Sequence, residues 1–178
     1  MIRFLIRPLC IYFAILQIPI IATRAFSVEY LREADGSHVV SSFVNAPQQR
    51  VWSFLTDYQE HPKWASDIVR SDVKKRAGND VDIIQTYRGS YTFGLPILAH
   101  IRMKEKPPYG LSYKLIESAH IFKLTGSWSI TKANGGVYLR HSMVVEPRIP
   151  EPLKTYYHEQ QKQNLIKWMT ILKNQMEK

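Results

Sequence analysis

Cysteine is almost absent. The single cysteine in 178 residues, Cys10, sits inside an N-terminal apolar run, so the remainder of the chain has none. That excludes disulfides as a source of stability and thiols as catalysts. Catalytic signatures are missing as well: no HExxH, CxxC, GxSxG, P-loop or GxGxxG occurs. The six histidines, at 38, 61, 100, 120, 141 and 158, lack the spacing of a metal set, so no metal and no cofactor are expected. Paired carboxylates for acid–base work are not evident, since Asp80 and Asp82 flank a turn.

What is present begins with MIRFLIRP, which carries Arg3 and Arg7 and no acid. The apolar run 9–22 follows, then a small residue at Ala25; the first acid is Glu29. A basic start, a short apolar run and a small exit residue describe a secretory signal over 1–25, cut after Ala25. The run is short for a membrane span, which needs about 20 apolar residues. An uncleaved anchor stays open, and a mitochondrial presequence fits less well. The expected location is therefore secreted or periplasmic. Removing Arg3, Arg7 and Arg24 lowers the net charge from +9 to +6. The tightest basic cluster, Lys74-Lys75-Arg76, precedes a Gly-Asn-Asp turn and reads as a solvated flank; with export expected, nucleic acid is not an expected partner.

Residues 26–178 read as one domain. Two short strands surround the turn Ala34-Asp35-Gly36. NAPQQRVWSFL then reads as a helix, with Asn45 or Ala46 as cap and Val51, Phe54, Leu55 and Tyr58 on one face. His61-Pro62 breaks it, and a short second helix carrying Trp64 follows. Period-two alternation governs the stretch to Pro147, clearest in Ile97, Ala99, Ile101 and Met103. Turns divide it into strands near 69–76, 81–93, 97–106, 111–118, 120–130 and 137–146. From 153 a long helix runs without Gly or Pro, with Leu165, Trp168, Met169, Leu172 and Met176 on one face. The order predicts an α+β fold: a curved antiparallel sheet wrapped around a long C-terminal helix, with a cavity between them. Pro62 and Trp64 are expected to gate it.

VNAPQQRVWSFLTDYQEHPKW, LTGSWSI, and VEPRIPEPLK leading into the final helix resemble the START-like (SRPBCC, helix-grip) superfamily, in particular its polyketide cyclase/dehydrase-like branch. That branch includes coenzyme Q-binding START-domain proteins. The resemblance covers about 27–178 and is specific for the fold, not for a ligand. It implies a deep apolar pocket and a hydrophobic small-molecule partner: a lipid, a quinone or a polyketide-like compound. In the LTGSWSI segment, Gly126 permits either a bulge or a close approach of the chain, and Trp128 reads as core.

Within that frame the candidate ligand-binding residues are Trp64, Tyr87, Tyr91, Phe93, Met103, Phe122, Leu124, His141, Met143, Tyr157, Gln161, Asn164, Leu165 and Trp168. His141 shares an apolar face with Val137, Leu139, Met143 and Val145. It is either a satisfied core residue or a contact to a polar head group. On the last helix, Gln161 and Asn164 stand where packing would favour Leu or Val; a buried amide left unpaired costs about 1–3 kcal/mol. Period favours Tyr87 inward over Arg88. The expected function is binding by a monomer, with transient membrane contact as a further expectation. Two alternatives stand: a cyclase- or dehydratase-like enzyme using His141 as acid or base, and a basic membrane-surface or protein-interaction module. An inward His141 within reach of another polar group would favour the enzyme; a neutral, isolated one would count against it.

Overall fold

The computed structural model describes residues 27–178, so the expected signal and its cleavage point lie outside the described residues. Eight strands form one antiparallel sheet in the order β1-β2-β8-β7-β6-β5-β4-β3. They are β1 (Glu29–Arg32), β2 (His38–Val44), β3 (Ile68–Ala77), β4 (Asp80–Tyr87), β5 (Ile97–Lys106), β6 (Gly110–Glu117), β7 (Ile121–Ala133) and β8 (Gly136–Pro147). Helix α1 (Gln48–Thr56) and a 3-10 segment (Tyr58–Lys63) link β2 to β3, and helix α2 (Glu151–Met176) ends the fold. This is the helix-grip arrangement.

The expected Asp-Gly hairpin forms between β1 and β2: Gly36 takes φ 81°, and the Ser37 amide donates to Asp35 Oδ1 at 2.9 Å. The break after α1 has a local cause. A helix leaves its last carbonyls without intrahelical donors. The buried His61 ring donates from Nε2 to the Leu55 carbonyl at 3.0 Å and takes up one of them. Pro62 then sits within the 3-10 turn, and Trp64 is delivered to the interior. Asn45 does not cap α1. Pro47 holds that position in extended geometry with no side-chain cap, and the Asn45 backbone N–H donates instead to the carboxylate of Glu177, the residue after α2.

The inner face of the sheet carries alternate residues, for example Val81, Ile83 and Gln85 of β4 and Leu139, His141 and Met143 of β8. Irregularities interrupt the register in β3, between His100 and Ile101, and between Ile121 and Lys123. Such bulges bend strands and strengthen their twist. The bent sheet closes on α2 through Leu165, Met169, Leu172 and Met176 at one end. Toward the N-terminal half of α2 a cavity lies between helix and sheet.

Candidate functional site

The cavity encloses about 230 Å³. Trp64 lines it from the interior: it is 3% exposed and lies edge-on to Trp128 and Trp168 at 6.3 and 6.1 Å between ring centroids. Trp64 is therefore an inner wall, and the gate expected at Pro62–Trp64 is corrected. Exposed lining residues gather elsewhere: Phe93, Leu95, His120 and Arg148. The mouth thus lies beside the segment after β4 and the connection into α2. Phe93 is 49% exposed, takes φ 54° and stacks on Tyr156 of α2 at 5.9 Å.

The expected strand over 81–93 stops at Tyr87. Gly89 opens a short 3-10 turn, Ser90–Thr92, in which Thr92 Oγ1 accepts from the Gly89 amide at 3.0 Å. Phe93 consequently reaches the mouth from a loop. The side chain of Tyr91 lies outside the described residues.

Tyr87, Met103, Leu124, His141 and Met143 line the cavity from the sheet; Tyr157, Gln161 and Trp168 line it from α2. Phe122 does not. It is 65% exposed on the outer face, with Arg148 over its ring at 5.4 Å. The irregularity between Ile121 and Lys123 slips the alternation by one, so Ile121 lines the cavity and Phe122 turns out. Leu165 is core rather than lining, and Asn164 is not among the lining residues; its amide nitrogen is buried without a protein partner.

Four functional groups were not reached from the sequence. Tyr113 of β6 points inward, and its hydroxyl lies 2.7 Å from His141 Nε2. A Cβ on Gly126 would stand 2.3 Å from that hydroxyl oxygen, so glycine there is what lets Tyr113 lie flat against β7. His61 and Gln85 form a second polar group. With Nε2 donating to Leu55, His61 Nδ1 must accept, and Gln85 donates to it at 3.0 Å and to Ser71 at 3.1 Å. The Tyr87 hydroxyl donates to Gln85 Oε1 at 2.5 Å. The fourth is Asp67, buried beside the cavity, whose Oδ1 accepts from Trp168 Nε1 at 2.6 Å. Nothing in the sequence marks these cross-chain meetings beyond one acid in the apolar stretch after Trp64.

The electrostatics favour uncharged groups. Burial pushes His141 down to about 3, helped by nearby His38, and His61 down to about 4. Burial raises Tyr113, Tyr87 and Tyr157 above the ordinary phenol range, and the charge of Asp67 raises the last two further. Exposed Arg148 is the one acid or base of the Asp, Glu, Lys and Arg kind among the described lining residues. Two buried polar atoms of the lining residues have no protein partner: Trp64 Nε1 and His141 Nδ1. Among the described residues no group of three His, Cys, Asp or Glu side chains is placed to hold a metal ion.

Comparison with solved structures gives the same fold. A protein of Thermus thermophilus superposes with a TM-score of 0.71 at 13% identity, covering 79% of this chain and 96% of that one. The Zhui aromatase/cyclase from Streptomyces gives 0.65 at 13%, covering 84% and 94%. A START superfamily protein from Mycobacterium smegmatis gives 0.64 at 15%, covering 79% and 97%. No curated protein sequence matches the chain. The family described as polyketide cyclase / dehydrase and lipid transport matches residues 37–165, a span that runs from β2 into α2 and includes nearly all of the cavity wall. Hydrophobic-ligand binding is what that family implies, and the chain belongs to it.

Proposed function

We propose that the protein is an exported binder of a compact hydrophobic molecule, held between the sheet and the N-terminal half of α2. The observation that carries this reading is the cavity of about 230 Å³, walled by aromatic and aliphatic side chains and open to solvent at the Phe93–Arg148 end. A dry cavity of about 150 Å³ accommodates benzene, so two fused rings, or the head of a longer molecule whose tail leaves by the mouth, match the space. Burial of apolar area at about 25 cal/mol per Å² supplies the affinity. Export rests on Arg3, Arg7 and the apolar run 9–22.

A second reading, a cyclase- or dehydratase-like enzyme, draws support from one observation: His141 is inward and bonded to Tyr113. An imidazole held at about 3 is neutral near pH 7 and a weak base. The pair is thus better suited to holding a ligand than to taking its proton. The presence of a cavity speaks against a purely basic surface module.

Native mass spectrometry of protein recovered from its own host, with organic extraction of the same sample, tests the binding. A stoichiometric hydrophobic passenger is expected. A clean unliganded mass that persists after incubation with small ring compounds would contradict it. Cell fractionation with N-terminal sequencing tests export; an exported chain beginning at Phe26 is expected, and a cytosolic chain retaining Met1 contradicts it.

A further inference from the structure

Beside the cavity, and not in its lining, polar residues of β1 and β2 meet α2. Their bonds assign each proton. His38 of β2 is fully buried. Its Nε2 lies 2.9 Å from Arg32 Nη1 and 3.1 Å from His158 Nδ1. A guanidinium has donors only, so His38 Nε2 must accept and carries no proton. The ring proton is then on Nδ1, which donates to the Tyr30 hydroxyl oxygen at 2.9 Å. His158 Nδ1 faces the same lone pair and must donate to it. The two imidazoles also stack, with centroids 5.3 Å apart. This arrangement exists only while His38 is neutral. A proton on Nε2 would remove the acceptor and set N–H against N–H on both sides.

The surroundings resist that proton. The charged and titratable neighbours of the pair are Tyr30 and Arg32 of β1, Lys154, Glu159 and Lys162 of α2, and His141 of β8. Glu159 is engaged by Lys162, which also lies over the Tyr30 ring. Burial, with the Arg32 charge, holds His38 down at about 4.

The pair sits where the cavity wall is anchored. Tyr157 and Gln161, on either side of His158 along α2, both line the cavity. The C-terminal half of α2 is fixed by its core residues Leu165, Met169, Leu172 and Met176. The N-terminal half has the Phe93–Tyr156 stack at the mouth and the His38–His158 pair on its flank. We propose that His38 and His158 form a proton-operated latch: with His38 neutral the N-terminal half of α2 is held against β2, and protonation of His38 releases it and speeds ligand exchange. This rests on the hydrophobic-binding reading for its ligand and goes beyond it by giving the site a regulation by pH.

The test compares wild type with His38→Gln, which keeps an acceptor near the place of Nε2 and takes up no proton. Amide hydrogen exchange of the full, unliganded chain is followed at pH 7 and pH 5, with intrinsic rates divided out. Once the latch opens, His38 returns to an ordinary 6.5, so opening is favoured about twentyfold more at pH 5 than at pH 7. Protection over residues 155–162 should fall by about that factor in wild type and by less than about twofold in His38→Gln. The dissociation rate of 1-tetralone, read from line shapes of the cavity tryptophan indoles, should rise by a similar factor in wild type alone. Equal protection at the two pH values, or a fall that His38→Gln shares, overturns the latch. Should the variant not fold, wild type decides: a fall at 155–162 no different from that at 165–176 overturns it, because the whole helix then opens together. A latch seen in hydrogen exchange without a change in 1-tetralone dissociation overturns its role in ligand exchange. If 1-tetralone binds at neither pH, the binding reading fails, and the exchange result, obtained without ligand, still decides the latch.

Discussion

Replacing Gly126 with alanine should damage the site through Tyr113. The added Cβ would lie 2.3 Å from the Tyr113 hydroxyl oxygen, 2.4 Å from Cζ and 2.5 Å from the Ser142 carbonyl oxygen. The last is backbone of the neighbouring strand and cannot swing away; the ring can, but only by leaving His141. Overpacking of a core costs about 1–3 kcal/mol. The separated hydroxyl and imidazole cost about 1–3 kcal/mol more when left without partners. Alanine in a strand recovers about 0.5–1 kcal/mol relative to glycine. The net loss is roughly 1–5 kcal/mol. With a urea m-value of about 2 kcal/mol/M, a loss of about 3 kcal/mol lowers the unfolding midpoint by about 1.5 M at unchanged m. Part of the loss should disappear in the Tyr113→Ala background, giving a coupling of about 1 kcal/mol or more in a double-mutant cycle. A Gly126→Ala protein within about 0.5 kcal/mol of wild type, or additive with Tyr113→Ala, would refute the proposed packing.

Other consequences follow from the same geometry. His61 and His141 hold folded values of about 4 and about 3 against an ordinary 6.5, so the unfolded chain binds their protons more readily. Stability should therefore be complete above about pH 6.5 and fall as pH drops toward 4; urea midpoints at pH 7 and pH 4.5 check this, and equal midpoints contradict it. Asp67→Ala should cost about 1–3 kcal/mol in chemical denaturation, because it strips the buried Trp168 Nε1 of its acceptor; a neutral effect contradicts that bond. Leu124→Ala should lose about 2–5 kcal/mol while Phe122→Ser stays within about 0.5 kcal/mol, and the reverse order would contradict the slipped alternation at the start of β7.

Much of the architecture is legible in the residues themselves. Strict alternation at Ile97–Met103 places β5, and the apolar spacing from Leu165 to Met176 places the gripping face of α2. Where alternation slips, periodicity misleads: the irregularity at Ile121–Lys123 exchanges the roles of two adjacent residues and turns Phe122 outward. A glycine that breaks a strand pattern shortens β4 and sends Phe93 to the mouth. The site's hydrogen bonds are less legible still, because they join distant segments. Tyr113 meets His141 only because β6, β7 and β8 are neighbours in a register that sets Tyr113 and Met143 on either side of Gly126. Asp67 finds Trp168 across about a hundred residues of chain, through packing rather than local pattern. Trp64 was visible as a break in a helix, yet its place as an inner wall follows from the ring contacts with Trp128 and Trp168.

The most direct test of the central claim is the set of indole N–H resonances. The chain has four tryptophans, at 52, 64, 128 and 168; Trp52 of α1 is buried away from the cavity. In a 15N-labelled sample titrated with 1-tetralone, the account predicts the largest shifts among the cavity-lining Trp64, Trp128 and Trp168 and little change at Trp52. Resonances of Trp64, Trp128 and Trp168 that all stay in place while ligand binds, or a shift at Trp52 alone, would contradict occupation of this cavity.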